Sequence, residues 1–228
     1  MAIQAGETTF YQAKRGIVQD GLVLNLDAAV DASYSGAGTD WSDLTNNNSY
    51  TLVNTPTFTN DNGGIFTFSA SNEYAGISNF MGTTSTFSVC HWIKLAVNQT
   101  TRTIFSNYTN FNRGWVTGIS DVAQNVVKFY LGGTHLYASS PLNINTWYLV
   151  SVTYDNGNPK IYINDSLNNS SSNTIDFAGS YFGNDIGRLG IGSQYFNGSI
   201  ADVMVYNRAL TSDEIARNYN ATRHRFGV

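Results

Sequence analysis

The sequence predicts an all-β sandwich of two antiparallel sheets, and four observations carry this. Charged residues make up 12% of the 228-residue chain, about half of the roughly 25% usual in soluble domains. Glu (three) and Lys (four), which normally cover exposed helix faces, are scarce. Asn, Ser and Thr supply 72 residues beside 21 Gly, and these types favour turns and half-exposed strands over helix interiors. Finally, short apolar runs parted by polar turns recur along the chain, several with a period of two.

The elements follow in order. Residues 1–20 read as a separate N-terminal arm carrying the basic pair Lys14-Arg15, and residues 21–228 read as one domain. A chain of this length buries enough apolar surface to need no staples. Leu22, Leu24 and Leu26 alternate with Val23, Asn25 and Asp27 as a half-buried strand. Residues 31–64 are loop-rich, with short strands expected around Thr51–Val53 and Ile65–Phe68. Phe87–Leu95 sets Phe87, Val89, His91 and Ile93 against Ser88, Cys90, Trp92 and Lys94. His91 is therefore a packed strand residue rather than a catalytic base. Thr103–Ser106, Trp115–Ile119 and Val126–Leu131 follow. Trp147–Tyr154 is a β-branched and aromatic run that turns through Asp155-Asn156-Gly157-Asn158-Pro159 into Lys160–Asn164. Ser166-Leu167, Leu189–Gly192 and Ser199–Tyr206 complete the strands. Trp92, Trp115 and Trp147 are expected to fill the core between the sheets. One helix is expected, at the C-terminus: Thr211-Ser212-Asp213-Glu214 matches a capping box, and Ile215 and Tyr219 form its apolar face.

Several function classes are excluded at this stage. A net charge of −4 and a pI near 5.2 lack the basic footprint of nucleic-acid binding. No stretch approaches 18 apolar residues, so no membrane helix is expected. Cys90 is the single cysteine, and the first residues lack a basic segment followed by an apolar run, so no secretory signal is expected.

Specific motifs then point to a family. Trp147–Asp155 with Lys160–Asn164 resembles the "W-x-x-V-x-x-x-Y-D…I-Y-I-N-G" hairpin of laminin-G-like jelly rolls in the concanavalin A-like lectin/glucanase superfamily. Phe196–Thr211 resembles its closing strand and helix entry. Gly21–Asp27 resembles its opening strand, and Phe87–Ile93 its "F-S-x-x-x-W-I" strand. The resemblance covers roughly residues 21–220 and implies a jelly roll. More narrowly, Gly16–Ala29, Tyr34–Leu44 and Asn218–Val228 resemble the version of this domain in virion structural proteins of tailed bacteriophages. That implies a non-enzymatic virion protein (a capsid decoration, head fibre or tail- or neck-associated component), made in the host cytoplasm, with other virion proteins as partners and a homo-oligomeric state. The alternative is a carbohydrate-binding module recognising host-surface glycans.

Glucanases of this fold use an "E-x-D-x-x-E" strand, and retaining chemistry needs two carboxylates about 5–5.5 Å apart. No Glu of this chain lies within six residues of another, so catalysis is not expected. The family often holds one Ca²⁺. By position, Asp27 and Asp202 on the opening and closing strands match that site, although Ala201 stands where a second acid is often found. The competing reading is that Asp27 caps a turn and Asp202 bonds the neighbouring strand. For glycans, Tyr108 and Phe111 are the candidate aromatic platforms among neighbouring Asn residues. Lys14, Arg15, Arg223 and Arg225 are candidate assembly contacts, as basic spots on an acidic chain.

Overall fold

The computed structural model of the protein describes residues 16–45, 48–77, 85–110, 113–172 and 184–228. With strands numbered in chain order, the first sheet runs β14 (Ser166–Ser170), β13 (Asn158–Ile163), β12 (Trp147–Asp155), β7 (Thr86–Leu95), β16 (Asn197–Tyr206), β5 (Ile65–Ser69) and β4 (Thr57–Thr59). The first strand, β1 (Leu22–Asp27), pairs with the second half of β16. The second sheet runs β11 (Thr134–Pro141), β10 (Val126–Leu131), β9 (Arg113–Ile119), β8 (Arg102–Asn110), β15 (Asn184–Ile186), β6 (Tyr74–Ile77), β3 (Ser49–Val53) and β2 (Asp40–Ser42). Every strand pair is antiparallel. The all-β sandwich read from the sequence is the observed fold.

Alternation along each strand decides what lies between the sheets. Phe87, Val89 and Ile93 of β7, with Val150 and Val152 of β12, meet Phe105, Trp115 and Phe129 from the second sheet. The Trp115 indole packs edge-on against Phe105, with centroids 5.0 Å apart. His91 takes its place in this row and is fully buried, its Nε2 2.8 Å from the Thr117 Oγ1 of the opposite sheet.

A second core lies on the far side of the first sheet. Cys90, Trp92, Trp147, Leu149, Met204 and Tyr206 face away from the sandwich centre, yet all are buried. They are covered by helix α1 (Ser212–Thr222) and the tail after it. Trp92 and Trp147 lie here rather than between the sheets, with centroids 4.2 and 4.7 Å from Phe226. Two faces can be read from alternation, but not what covers them. The Trp92 Nε1 donates to Thr222 Oγ1 at 2.8 Å. The helix starts as its capping box dictates: Glu214 N donates to Thr211 Oγ1 and Thr211 N to Glu214 Oε2. Arg208 clamps both Glu214 oxygens at 2.8 and 2.6 Å.

Several readings shift against the structure. The short strands β2, β4, β6 and β15, and the eight-residue β11, carry no strand signal in the sequence reading. Leu189–Gly192 is a turn closed by a Leu189–Ser193 bridge rather than a strand. Residues 16–20, read as part of the arm, lie on the domain: Val18 N donates to Asn218 Oδ1, and Tyr206 Oη donates to Val18 O. Lys14 and Arg15 lie outside the described residues. Asn168 Oδ1 accepts from Ser139 N, and Asn169 Nδ2 donates to Tyr137 O. These two amides tie edge strand β14 to edge strand β11 and cover backbone that would otherwise invite another strand.

Candidate functional site

The outer face of the second sheet is the part of the sandwich surface where chemistry gathers. Registers place Gly76, Asp185, Ser106, Val116, Tyr130 and His135 side by side in one rank across six strands. The neighbouring rank pairs Gly118 with Lys128, and Lys128 with Tyr137. Along β9 the outward positions are therefore Gly114, Val116 and Gly118. Both glycines are required here. A Cβ at Gly114 would run into the carbonyl oxygen of Asn107, and one at Gly118 into that of Arg102. Two absent side chains around a valine leave a trough along β9, walled by Tyr108 of β8 on one side and Lys128 and Tyr130 of β10 on the other.

A cavity of about 220 Å³ opens in this trough. Its apolar floor is Val116 with Leu189, against which Tyr108 and Tyr130 pack. The rings continue outward: Tyr108–Tyr130 at 5.8 Å, Tyr130–His135 at 5.0 Å, and His135 stacked on Tyr137 at 5.5 Å and 11°. Thr101, Gln194, Asp121 and Lys128 complete the lining. The Lys128 Nζ is 3.7 Å from Asp121 Oδ1, and the Tyr137 hydroxyl donates to the same oxygen at 3.2 Å.

The loops that bring these groups together are pinned. Ser120 Oγ accepts from the amides of Val122 and Ala123, which fixes the turn carrying Asp121. Thr101 N donates to Ser120 O, and Thr103 N to Gln194 O, each at 2.8 Å. Gln99 and Asn125 exchange bonds beneath them. The rim is thus set by backbone contacts before any ligand arrives.

Electrostatics follow from burial and pairing. Lys128 is 5% exposed. Burial lowers its pKa, while Asp121 opposes the shift. Burial of the Asp121 carboxyl works to raise its pKa. Hydrogen bonding from backbone, the Lys128 ammonium and the Tyr137 hydroxyl outweigh this and leave it below the usual carboxylate range. The His135 imidazole is held below its ordinary pKa, by burial first and then by Lys128. At neutral pH the pocket therefore holds one ammonium, one carboxylate and a neutral imidazole.

Of the residues singled out from sequence, Tyr108 lines this pocket. It is only 6% exposed and stands as a wall beside Tyr130 rather than as an open platform. Phe111 lies outside the described residues. Lys128, Tyr130, His135, Tyr137 and Asp121 were not read as a site. The signal was there in the small–Val–small outward pattern of β9 and in a lysine between Val127 and Phe129 of an apolar strand.

The other candidates lie on the opposite side of the molecule, on the first sheet. Asp27 and Asp202 are direct cross-strand partners. Asp27 Oδ1 accepts from Ala29 N at 3.0 Å, as the turn-capping reading expected. Asp202 is 2% exposed, and among the described residues its Oδ1 has no hydrogen-bond partner. Burial, then the Asp27 charge, pushes its carboxyl well above the usual carboxylate range. Arg225 turns inward to pair with Asp27 rather than outward to a partner. Ca²⁺ wants six to eight oxygens, whereas here a guanidinium sits on Asp27 and the buried Asp202 favours its proton. These residues do not fit a calcium cage. Among the described residues, no three His, Cys, Asp or Glu side chains gather as a metal cluster. Arg223 is exposed and reaches over the Tyr219 ring at 5.7 Å.

Two antiparallel sheets with one C-terminal helix packed on the first define a concanavalin A-like sandwich domain. A family profile described as the concanavalin A-like lectin/glucanases superfamily matches residues 68–216, and the chain belongs to that superfamily. A search of curated proteins finds no match. Among solved structures, domain 4 of AbnA, a GH43 extracellular arabinanase from Geobacillus stearothermophilus, in complex with arabinotriose, is similar at 18% identity and TM-score 0.70, over 87% of this chain and 98% of that one. The sialidase of Trypanosoma rangeli in complex with the inhibitor DANA is 13% identical at TM-score 0.66, over 89% of this chain and 33% of that one. The receptor binding domain of botulinum neurotoxin type G is 19% identical at TM-score 0.62, over 88% of this chain and 51% of that one. At these identities the likeness is one of fold.

Proposed function

We propose that this chain is a non-enzymatic carbohydrate-binding module whose site is the trough on the outer face of the second sheet. The observation that carries the reading is the lining of the pocket. An apolar floor and tyrosine walls suit the C–H faces of a sugar ring. The Lys128–Asp121 pair, Thr101 and Gln194 suit its hydroxyls. A volume of about 220 Å³ is the size of one ring rather than of a long chain. Asp121 is the one carboxylate among the described residues lining the pocket, against the two that glycoside hydrolysis uses. Structural neighbours that include a domain in complex with arabinotriose and a receptor binding domain agree with this choice. The virion setting rests on the opening and closing motifs of the sequence, and a glycan-binding module is a role that a virion protein can hold.

The test is a glycan array with the purified chain, followed by titration of the best hit against Tyr130→Ala and Tyr108→Ala. Loss of at least tenfold in affinity, with each variant still folded, supports the reading. An array without hits, or affinity indifferent to both substitutions, overturns it.

A further inference from the structure

The pocket's charges are balanced within the protein, and this bears on which sugars it accepts. We propose that the trough selects uncharged saccharides and that Asp121 is the residue that turns sugar acids away. The inference rests on the carbohydrate-binding reading above and deepens it.

Lys128 is the one Lys or Arg among the described residues lining the cavity, and Asp121 stands 3.7 Å from its ammonium. Further along the same face another cation, Arg188, is committed as well. Its Nε lies 2.7 Å from Asp185 Oδ2, and its guanidinium lies 3.3 Å over the Tyr74 ring. His135 is neutral at neutral pH, because burial and Lys128 disfavour its charged form. Among the described lining residues, a ligand carboxylate entering the trough would therefore meet no cation but Lys128, and would face Asp121 directly. Taking Lys128 for itself would set the ligand carboxylate beside that of Asp121, a like-charge contact that the exposure of Asp121 screens only in part. A sugar hydroxyl meets no such conflict. It donates and accepts at once, so neighbouring hydroxyls of one ring can accept from Lys128 and donate to Asp121 while the pair stays intact. The two charges then act as opposite ends of a hydroxyl-reading clamp.

The experiment uses the full chain and matched probe pairs of the same linkage and length that differ in the C6 group, hydroxymethyl against carboxylate: oligogalactosides with oligogalacturonides, and oligoglucosides with oligoglucuronides. The wild type is expected to bind the best neutral probe at least tenfold more tightly than its acidic twin. Asp121→Asn keeps the shape and can still accept from Tyr137. The Asp121 side chain is 44% exposed, so its field is partly screened, and the variant should narrow the gap by roughly threefold to tenfold. Lys128→Gln should widen it. Thermal melting confirms that both variants fold, and if Lys128→Gln does not, Asp121→Asn decides alone. A wild type that prefers the acidic twins, or a gap unmoved by Asp121→Asn, overturns the inference while leaving sugar binding in place. Absence of binding to every probe of both kinds overturns the carbohydrate reading and the inference with it.

Discussion

The Nη1 of Arg225 donates to both carboxylate oxygens of Asp27, at 2.9 and 3.0 Å, across 198 residues of sequence. The same arginine donates from Nε to Asn62 O, and Asn62 Nδ2 donates back to Arg225 O at 2.6 Å. The tail of the chain is thereby locked to its opening strand and to the loop before β5. Both partners are mostly buried, with side chains 13% and 18% exposed. Arg225→Ala should leave the Asp27 carboxylate without its cation beside Asp202, at a cost of about 3 kcal/mol. For a domain of this size that is a melting-temperature fall of roughly 6–12 °C. Because the guanidinium already serves Asp27, a chelator should leave the wild-type melting temperature unchanged. A drop of several degrees with chelator, reversed by Ca²⁺, would show that a metal cation holds these strands.

The tail also completes an aromatic core. Phe226 is 7% exposed and lies on both Trp92 and Trp147, so residues after the helix act as a lid on the first sheet rather than as a loose end. Phe226→Ala removes a buried ring from two indoles and should cost about 3 kcal/mol. Tryptophan emission should shift to the red as Trp92 and Trp147 meet water. Arg223→Ala, three residues earlier and exposed, should change stability by less than about 0.5 kcal/mol. Equal effects from the two substitutions would contradict the lid.

What could be read from the sequence depended on how far the signal was local. β7 and β10 were legible because they run six residues or more under a consistent pattern of burial. Helix α1 was legible because its capping box lies within four residues. β2, β6 and β15 were not, since three or four residues held between two neighbours need no apolar period of their own. The second core escaped notice for a different reason. Ser88, Cys90 and Trp92 alternate as an outward face, and it is the return of the chain from Arg208 onward, with Val18 beside it, that buries them. Half of the candidate site was local too: Gly114, Val116 and Gly118 mark a strand with little to show on one side. Asp121, Leu189 and Gln194 join it only through loops that the topology brings to the same end, and no spacing in the chain announces that.

His91 provides the pH test of the core. It is fully buried between the sheets, and burial lowers its pKa from 6.5 to about 4. The unfolded chain takes up the imidazole proton near pH 6.5, whereas the folded chain resists until about pH 4. The contribution to stability is therefore whole above pH 6.5, declines as the pH falls through that window, and levels off below it. The difference between those two values corresponds to about 3 kcal/mol at most. Urea unfolding of the wild type at pH 7, 5.5 and 4.5 should record the decline. His91→Gln keeps a donor for Thr117 Oγ1 but cannot titrate, and should flatten that limb relative to wild type even though the surface carboxylates still contribute. Parallel pH profiles for the two proteins would mean that the imidazole accepts its proton in the folded state and that the two sheets part readily enough to hydrate it.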